Sequence, residues 1–352
     1  MRTAAIALLV LAAAVPTASV ADHAAILQYH HVDDTTPPST SVTVEQFTAQ
    51  LARLAADGFR HAPLTKVMDA VTTDASLPDS VICLTADDGY ASLRDHALPL
   101  LQERGWTMTV FVCPEQVDIG RPLHLDWDDL LALRDEGWTI ANHSLAHEHL
   151  VRRRPGETED AWRSRVRQDI LTAQARLEQE LGEVPRFFAY PYGEYDPALV
   201  EIVRELGFIG FGQHSGPVGP RSDLGAVPRF PASGIYADPD DLAFKAATRP
   251  LPVVAHEPAS PILPRGETRP ELTVTLAEGD WSRAQLAAYA SGQGRIEVSW
   301  SEDEPRTFTV RAREPLPDGR SRYNVTAPAA DGGRWYWASF PWLRPTGAWL
   351  DE

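Results

Sequence analysis

Two rhythms of apolar spacing divide this chain. From Ala24 to about Arg249, short apolar runs alternate with longer stretches whose apolar positions recur every three to four residues. The runs AAILQYHHV, SVICLTADDG, TMTVFVC, WTIANHS, RFFAYPYG and FIGFGQHS read as strands. Between them VEQFTAQLARLAADG, LRDHALPLLQERG, DWDDLLALRDEG, AWRSRVRQDILTAQARLEQELG and ALVEIVRELG read as helices, each ending at a glycine. Strands separated by helices predict parallel β/α units, either closed as a barrel or opened as a doubly wound sheet. In both arrangements function gathers at the C-terminal strand ends.

Near residue 250 the rhythm changes. RPLPVVAHEPASPILPRGETRP is rich in proline and reads as a linker over 250–270. After it, ELTVTLAEG, GRIEVSW, RTFTVRARE, RYNVTAP and GRWYWASF alternate apolar and polar positions with turn residues between them. They predict a small, sandwich-like all-β domain over 271–352. Trp335, Tyr336, Trp337 and Trp342 crowd its end. Alternation sets Trp335 and Trp337 on one face and Tyr336 on the other, as core packing or as a sugar-stacking surface. At the start of the chain, residues 1–21 carry Arg2, the apolar run AIALLVLAAAV and the small residues Ser19 and Ala21. That is the pattern of a cleaved export leader. The first domain is therefore expected over 22–249, in an exported protein of the periplasm or exterior. No later apolar run reaches membrane-spanning length.

The formal net charge is −17, and becomes −18 once Arg2 leaves with the leader. Such an acidic chain is a poor partner for nucleic acid or an anionic membrane, and a better one for a neutral or cationic polymer. The two cysteines, Cys83 and Cys113, lie at different heights in strand-like runs. They are expected as buried thiols rather than a disulfide.

The chemistry-bearing residues sit at the strand ends. His30 and His31 end one strand, Asp87 and Asp88 another, Asn142 and His143 a third, and Tyr190, Pro191 and Tyr192 a fourth. Two adjacent acids beside a core repel each other and are costly to desolvate. A metal resolves this, because one acid becomes a ligand. His143 and His147 are four residues apart, which on a helical turn puts both rings on one face. A carboxylate from another strand end completes a His₂Asp set suited to Zn²⁺ with an open position. Asp88 then serves as ligand, and Asp87 is free to take a proton from the attacking water.

In this order TADDGY, NHSLAH and AYPYG resemble the motifs of the metal-dependent polysaccharide deacetylases, carbohydrate esterase family 4, over about residues 24–249. The resemblance implies a distorted (β/α) barrel and hydrolysis of N-acetyl or O-acetyl groups on sugars. It implies Zn²⁺, or another divalent transition metal, on Asp88, His143 and His147. Should His147 not serve, His149 is the next candidate to test. The resemblance assigns Asp87 as base and the Tyr192 N–H to the oxyanion. Tyr190, Pro191, Tyr192 and Trp127 are expected against the substrate. Two departures matter. The Arg that usually precedes the third motif is missing from Ala189-Tyr190-Pro191-Tyr192, and Arg229 in VPRFP is the residue that could supply its charge. The acid histidine usually lies late in the chain, whereas Leu27-Gln28-Tyr29-His30 lies early. That placement is similar to the permuted arrangement of deacetylases of the biofilm polymer poly-β-1,6-N-acetylglucosamine. His30 is therefore the favoured acid, with His31, His214 and His256 as rivals. The expected function is metal-dependent N-deacetylation of an N-acetylglucosamine polysaccharide or oligosaccharide. An O-acetyl esterase on xylan or another glycan, and a non-catalytic polysaccharide-binding protein, remain as alternatives.

Overall fold

The protein is described by a computed structural model that covers residues 20–330 and 332–345. All but the last two residues of the expected leader lie outside the described residues.

An eight-stranded parallel sheet curls on itself; beside the short strand Arg60–His61, which pairs with Val81–Ile82, seven strands follow one path. They are β1 (Ala24–Tyr29), β2 (Val81–Ala86), β3 (Thr109–Val112), β4 (Thr139–Asn142), β5 (Phe187–Ala189), β6 (Ile209–Phe211) and β7 (Phe230–Pro231). Their order is β6-β5-β4-β3-β2-β1-β7, and every neighbouring pair is parallel. A parallel bridge from Phe211 to Val227 brings the two edges together, so the sheet curls into a distorted barrel. β1 and β2 are buried along all six of their residues, which is why they read as continuous apolar runs.

Outside the sheet, Leu27, Leu84, Val110 and Ile140 pack with Phe47, Leu51 and Trp138 from the helical layer and its connections. Inside the curl, Ile26, Cys83, Phe111, Ala141 and Phe211 form a second cluster. Both cysteines are buried free thiols, and Cys113 Sγ donates to the carbonyl of His143 at 2.9 Å. The helix α1 (Val44–Ala56) begins at a capping box in which Thr43 and Gln46 satisfy each other's backbone N–H. Its buried Gln50 accepts from the Tyr29 hydroxyl and donates to the carbonyls of Ala232 and Ala237. This fastens β1 to the segment that follows β7.

Several elements differ from the sequence reading. The stretch LRDHALPLLQERG opens as a wide π turn over Leu93–Ala97 before a short α turn, Leu98–Gln102. Pro99 has no N–H to donate to the preceding turn. Helices Leu64–Thr72 and Pro239–Ala246 lie in stretches given no element. The expected linker is also corrected. Arg249–Pro250 pairs with Tyr336–Trp337, and Val253–Glu257 pairs with Glu271–Leu276. Proline is tolerated there because Val253–Glu257 is an edge strand, with Pro252 and Pro258 flanking rather than interrupting it.

The C-terminal domain packs a five-stranded sheet on a four-stranded one. Between them lie Leu272, Phe308, Tyr323, Val325, Phe340 and Trp342. Trp335 and Trp337 do share a face, but it is the one turned to the first domain. Trp337 meets Phe230 edge-on at 5.9 Å, and Trp335 lies 6.3 Å from Phe244. Tyr336 packs on the β-domain core instead. Arg334 adds a bidentate pair with Asp79 across the same junction, at 2.6 and 2.7 Å. Among the described residues, no helix is long and apolar enough to cross a membrane.

Candidate metal centre and active-site cleft

The C-terminal ends of β2 and β4 bring together Asp88, His143 and His147. Asp88 Oδ1 lies 3.3 Å from His143 Nε2 and 3.2 Å from His147 Nε2. One ligand atom from each residue falls within 4.8 Å of the others. His143 is fully buried, and its Nδ1–H donates to the carbonyl of Ala189 at 2.8 Å. That bond fixes the tautomer and leaves Nε2 as a lone pair, buried and without a hydrogen-bond partner. A buried lone pair facing a carboxylate is unfavourable unless a cation lies between them. The donor set therefore fits a divalent ion. Burial alone would raise the Asp88 pKa, but the two imidazoles outweigh it and hold the carboxyl well below the usual range.

The two histidines do not share a helical face, as the spacing had led us to expect. Residues 143–147 form a bent loop with left-handed backbone at Ser144 (φ 69°) and His147 (φ 61°). The loop is held by Ser144 Oγ, which accepts the His147 N–H, and by Asp169, which accepts the Leu145 N–H. Asp88 (φ 70°) and Tyr192 (φ 59°) are left-handed as well. Four of the seven non-glycine residues with positive φ among the described residues thus belong to this one site. Such strain persists where surrounding contacts over-determine the backbone.

Asp87 is fully buried beside the triad. Arg229 donates to both its oxygens, NH1 to Oδ1 at 2.7 Å and NH2 to Oδ2 at 2.8 Å, and neither side chain is exposed. The guanidinium is itself held by the carbonyl of Gly212 and lies over the Phe111 ring. Gln28 Nε2 adds a third donor to Asp87 Oδ2, at 2.7 Å. Burial would raise the Asp87 pKa, but the charge of Arg229, then that of His143, brings it down to about 2. Gln28 was missed in the sequence because a lone glutamine inside an apolar strand carries no motif.

A cleft of about 950 Å³ opens over the triad. His30 borders it together with Asp88, His147 and Tyr192. Burial lowers the His30 pKa, against the pull of Asp87 and Asp88. His31 is buried and stacked on Tyr90 at 3.5 Å, and it does not border the cleft. His214 does reach the cleft, with burial depressing its pKa to about 3. His256 lies on the edge strand of the C-terminal domain, its Nδ1 bonded to the carbonyl of Pro258.

The substrate contacts divide. Tyr192 borders the cleft, its ring stacked on His149 at 3.8 Å. His149 is turned away from the triad and bonds Glu194 at 2.7 Å. Tyr190 is corrected: it is fully buried, with its hydroxyl donating to the carbonyl of Gly225, because with Phe188 it continues the helix-facing side of β5, packed among Trp162, Val166 and Leu199. Pro191 is buried too. Trp127 is corrected as well. Its indole N–H bonds Asp118 and its ring lies under Arg176, away from the cleft.

A curled parallel sheet with an Asp–His–His cluster on its C-terminal rim that could hold a divalent ion defines the class. Residues 74–210 match the family model described as polysaccharide deacetylase, and this part of the chain resembles that family. The poly-beta-1,6-N-acetyl-D-glucosamine N-deacetylase of Escherichia coli (strain K12) is 23% identical, over 58% of this chain and 35% of that protein. This chain therefore spans about a third of that relative's length. IcaB from Ammonifex degensii has a TM-score of 0.57 at 25% identity, covering 65% of this chain and 98% of that one. The Streptococcus pyogenes deacetylase PplD, solved in complex with acetate, also has a TM-score of 0.57, at 19% identity, covering 65% and 99%. The family match ends at residue 210 and leaves the C-terminal domain outside it.

Proposed function

We propose that the protein is an exported, zinc-dependent deacetylase that removes N-acetyl groups from an N-acetylglucosamine polysaccharide. The observation that carries this reading is the pairing of two carboxylates of opposite surroundings at one rim. Asp88 faces two imidazoles, and Asp87, one residue earlier, is clamped by Arg229. Zn²⁺ on Asp88, His143 and His147 would supply Lewis-acid polarisation of the acetyl carbonyl. Asp87, kept anionic by Arg229 and oriented by Gln28, takes the proton of the attacking water. The Tyr192 N–H stabilises the oxyanion. His30 gives its proton to the departing amine. Burial lowers its proton affinity, which makes its protonated form a strong donor. The early position of His30 and the E. coli relative's name both favour a β-1,6-linked polymer, such as a biofilm matrix. The test is acetate release from N-acetylglucosamine oligomers and from acetylated xylan, with and without chelator. Release from the oligomers alone, lost to chelator and restored by Zn²⁺, supports the reading. Release from xylan alone makes the protein an esterase, and no release with retained binding makes it a binding protein.

A further inference from the structure

The C-terminal β-domain forms part of the wall of the catalytic cleft. Along its strand Gly319–Pro328, Tyr323 and Val325 point into the β-domain core. Arg320, Arg322 and Asn324 therefore point the other way. The antiparallel partner strand sets Leu343, Pro341 and Ser339 opposite these three, and Tyr289 lies opposite Asn324 on the other side. Directly opposed residues share a face, so all of these look toward the first domain.

Part of that face is already engaged. Arg322 donates to Ser215 Oγ at 2.8 Å. Arg320 donates to the carbonyl of Tyr192 and to Gln213 Oε1. Gln213 in turn packs so closely on Gly193 (φ 68°) that a Cβ there would lie 2.7 Å from it. The left-handed turn at Tyr192 and Gly193 is thus braced from the C-terminal domain. The rest of the face borders the same cleft as Asp88 and His147, and includes Tyr289, Ser291 and Asn324. Tyr289 is 37% exposed, while Ala288 and Ala290 beside it are buried. It is an uncovered aromatic ring at the mouth of a reaction cleft. Asn324 Oδ1 accepts from Ser339, which leaves its amide group as a donor. A cleft of about 950 Å³ stands at the upper end of the range that encloses a drug-sized ligand, so it has room for more than the one reacting sugar.

We propose that this wall is a glycan subsite. A pyranose ring of the chain, next to or near the reacting unit, stacks on Tyr289, and the Asn324 amide group donates to one of its hydroxyls. The C-terminal domain then makes the enzyme prefer a polymer over a single sugar. The proposal rests on the deacetylase reading above, so its test separates the two. Zinc-loaded Asp87→Asn protein, full length, is titrated with N-acetylglucosamine and with its pentamer. The same is done with Tyr289→Ala and Tyr289→Phe added. The expected result is that Tyr289→Ala reduces the preference for pentamer over monomer by roughly 3- to 10-fold, the size of an aromatic stacking contribution, and that Tyr289→Phe restores it. Metal content and melting temperature report folding. Equal weakening for monomer and pentamer, or no weakening at all, overturns the subsite. Wild-type protein that binds the pentamer with the expected Tyr289 dependence but releases no acetate refutes the deacetylase reading and leaves the subsite standing.

Discussion

Replacing Arg229 with methionine should reverse how the stability of this protein depends on pH. In the native protein Asp87 and Arg229 are both fully buried and joined by two hydrogen bonds. Removing one partner of such a pair leaves an uncompensated charge, at a cost of about 3–5 kcal/mol. The sign follows from the proton count. With Arg229 present, the Asp87 pKa is about 2, below that of the unfolded chain. Its contribution is therefore present above about pH 4 and lost as pH falls toward 2. Without Arg229, burial is the dominant influence and lifts the pKa above the unfolded value. The folded variant then holds a proton that the unfolded chain releases, and stability falls as pH rises through 4. Denaturant midpoints of metal-free protein, measured from pH 4 to pH 8, read this directly. The gap between wild type and Arg229→Met should be smaller near pH 4, where only the lost pairing counts, and approach the full cost by pH 7. Adding Asp87→Asn to the variant should recover much of the loss, since it removes the stranded charge. Catalysis should fall in parallel by at least ~10²-fold at neutral pH, because a protonated Asp87 is no base. A gap of the same size at pH 4 and pH 7 would refute the electrostatic argument and leave Arg229 as packing alone.

Other consequences are open to direct measurement. His147→Ala and Asp88→Asn should each lose bound zinc in metal analysis, and full retention in both would remove them from the ligand set. Asp87→Asn should keep its zinc and its fold while losing roughly 10²–10⁴-fold in rate, the usual size of a general-base contribution. His30→Ala should lose far more activity on an N-acetylglucosamine oligomer than on an aryl acetate ester, whose phenol leaves without a proton. Equal losses would make His30 a structural residue. Asp169, which holds the Leu145 N–H in the His143–His147 loop, has its pKa raised by burial to about 6. The folded protein thus keeps a proton the unfolded chain loses, and wild-type stability declines as pH rises from about 4 to 6. Asp169→Asn should escape that decline and be more stable by roughly 2–3 kcal/mol at pH 7, with the gap closing near pH 4.

What the sequence disclosed and what it concealed follow from how locally each feature is determined. Asp87, Asp88 and His143 were legible because a short apolar strand announces its own end, and the topology of parallel units places those ends on one rim. The geometry of the histidine pair was not. Spacing of four suggests a helix, but Ser144 and His147 adopt left-handed angles that only tertiary contacts impose. Tyr190 and Tyr192 lie two residues apart in one motif, yet one is core and the other borders the cleft. The turn over Pro191–Gly193 breaks the strand period between them. The Pro-rich stretch hid an edge strand because composition does not tell which N–H groups need partners. Arg229 is the most instructive case. It lies 142 residues from Asp87 in sequence, on the far side of β1, and VPRFP offers it only as a candidate for the missing charge, with nothing local to show that it is buried on Asp87. What a buried carboxylate requires is a bidentate cation in a low-dielectric setting, and any strand whose side chain reaches into the barrel can deliver one. Loss of an arginine from a local motif therefore need not remove the charge from the site. In this fold the seventh strand, closing against the first, brings a guanidinium to the same carboxylate from the other end of the domain.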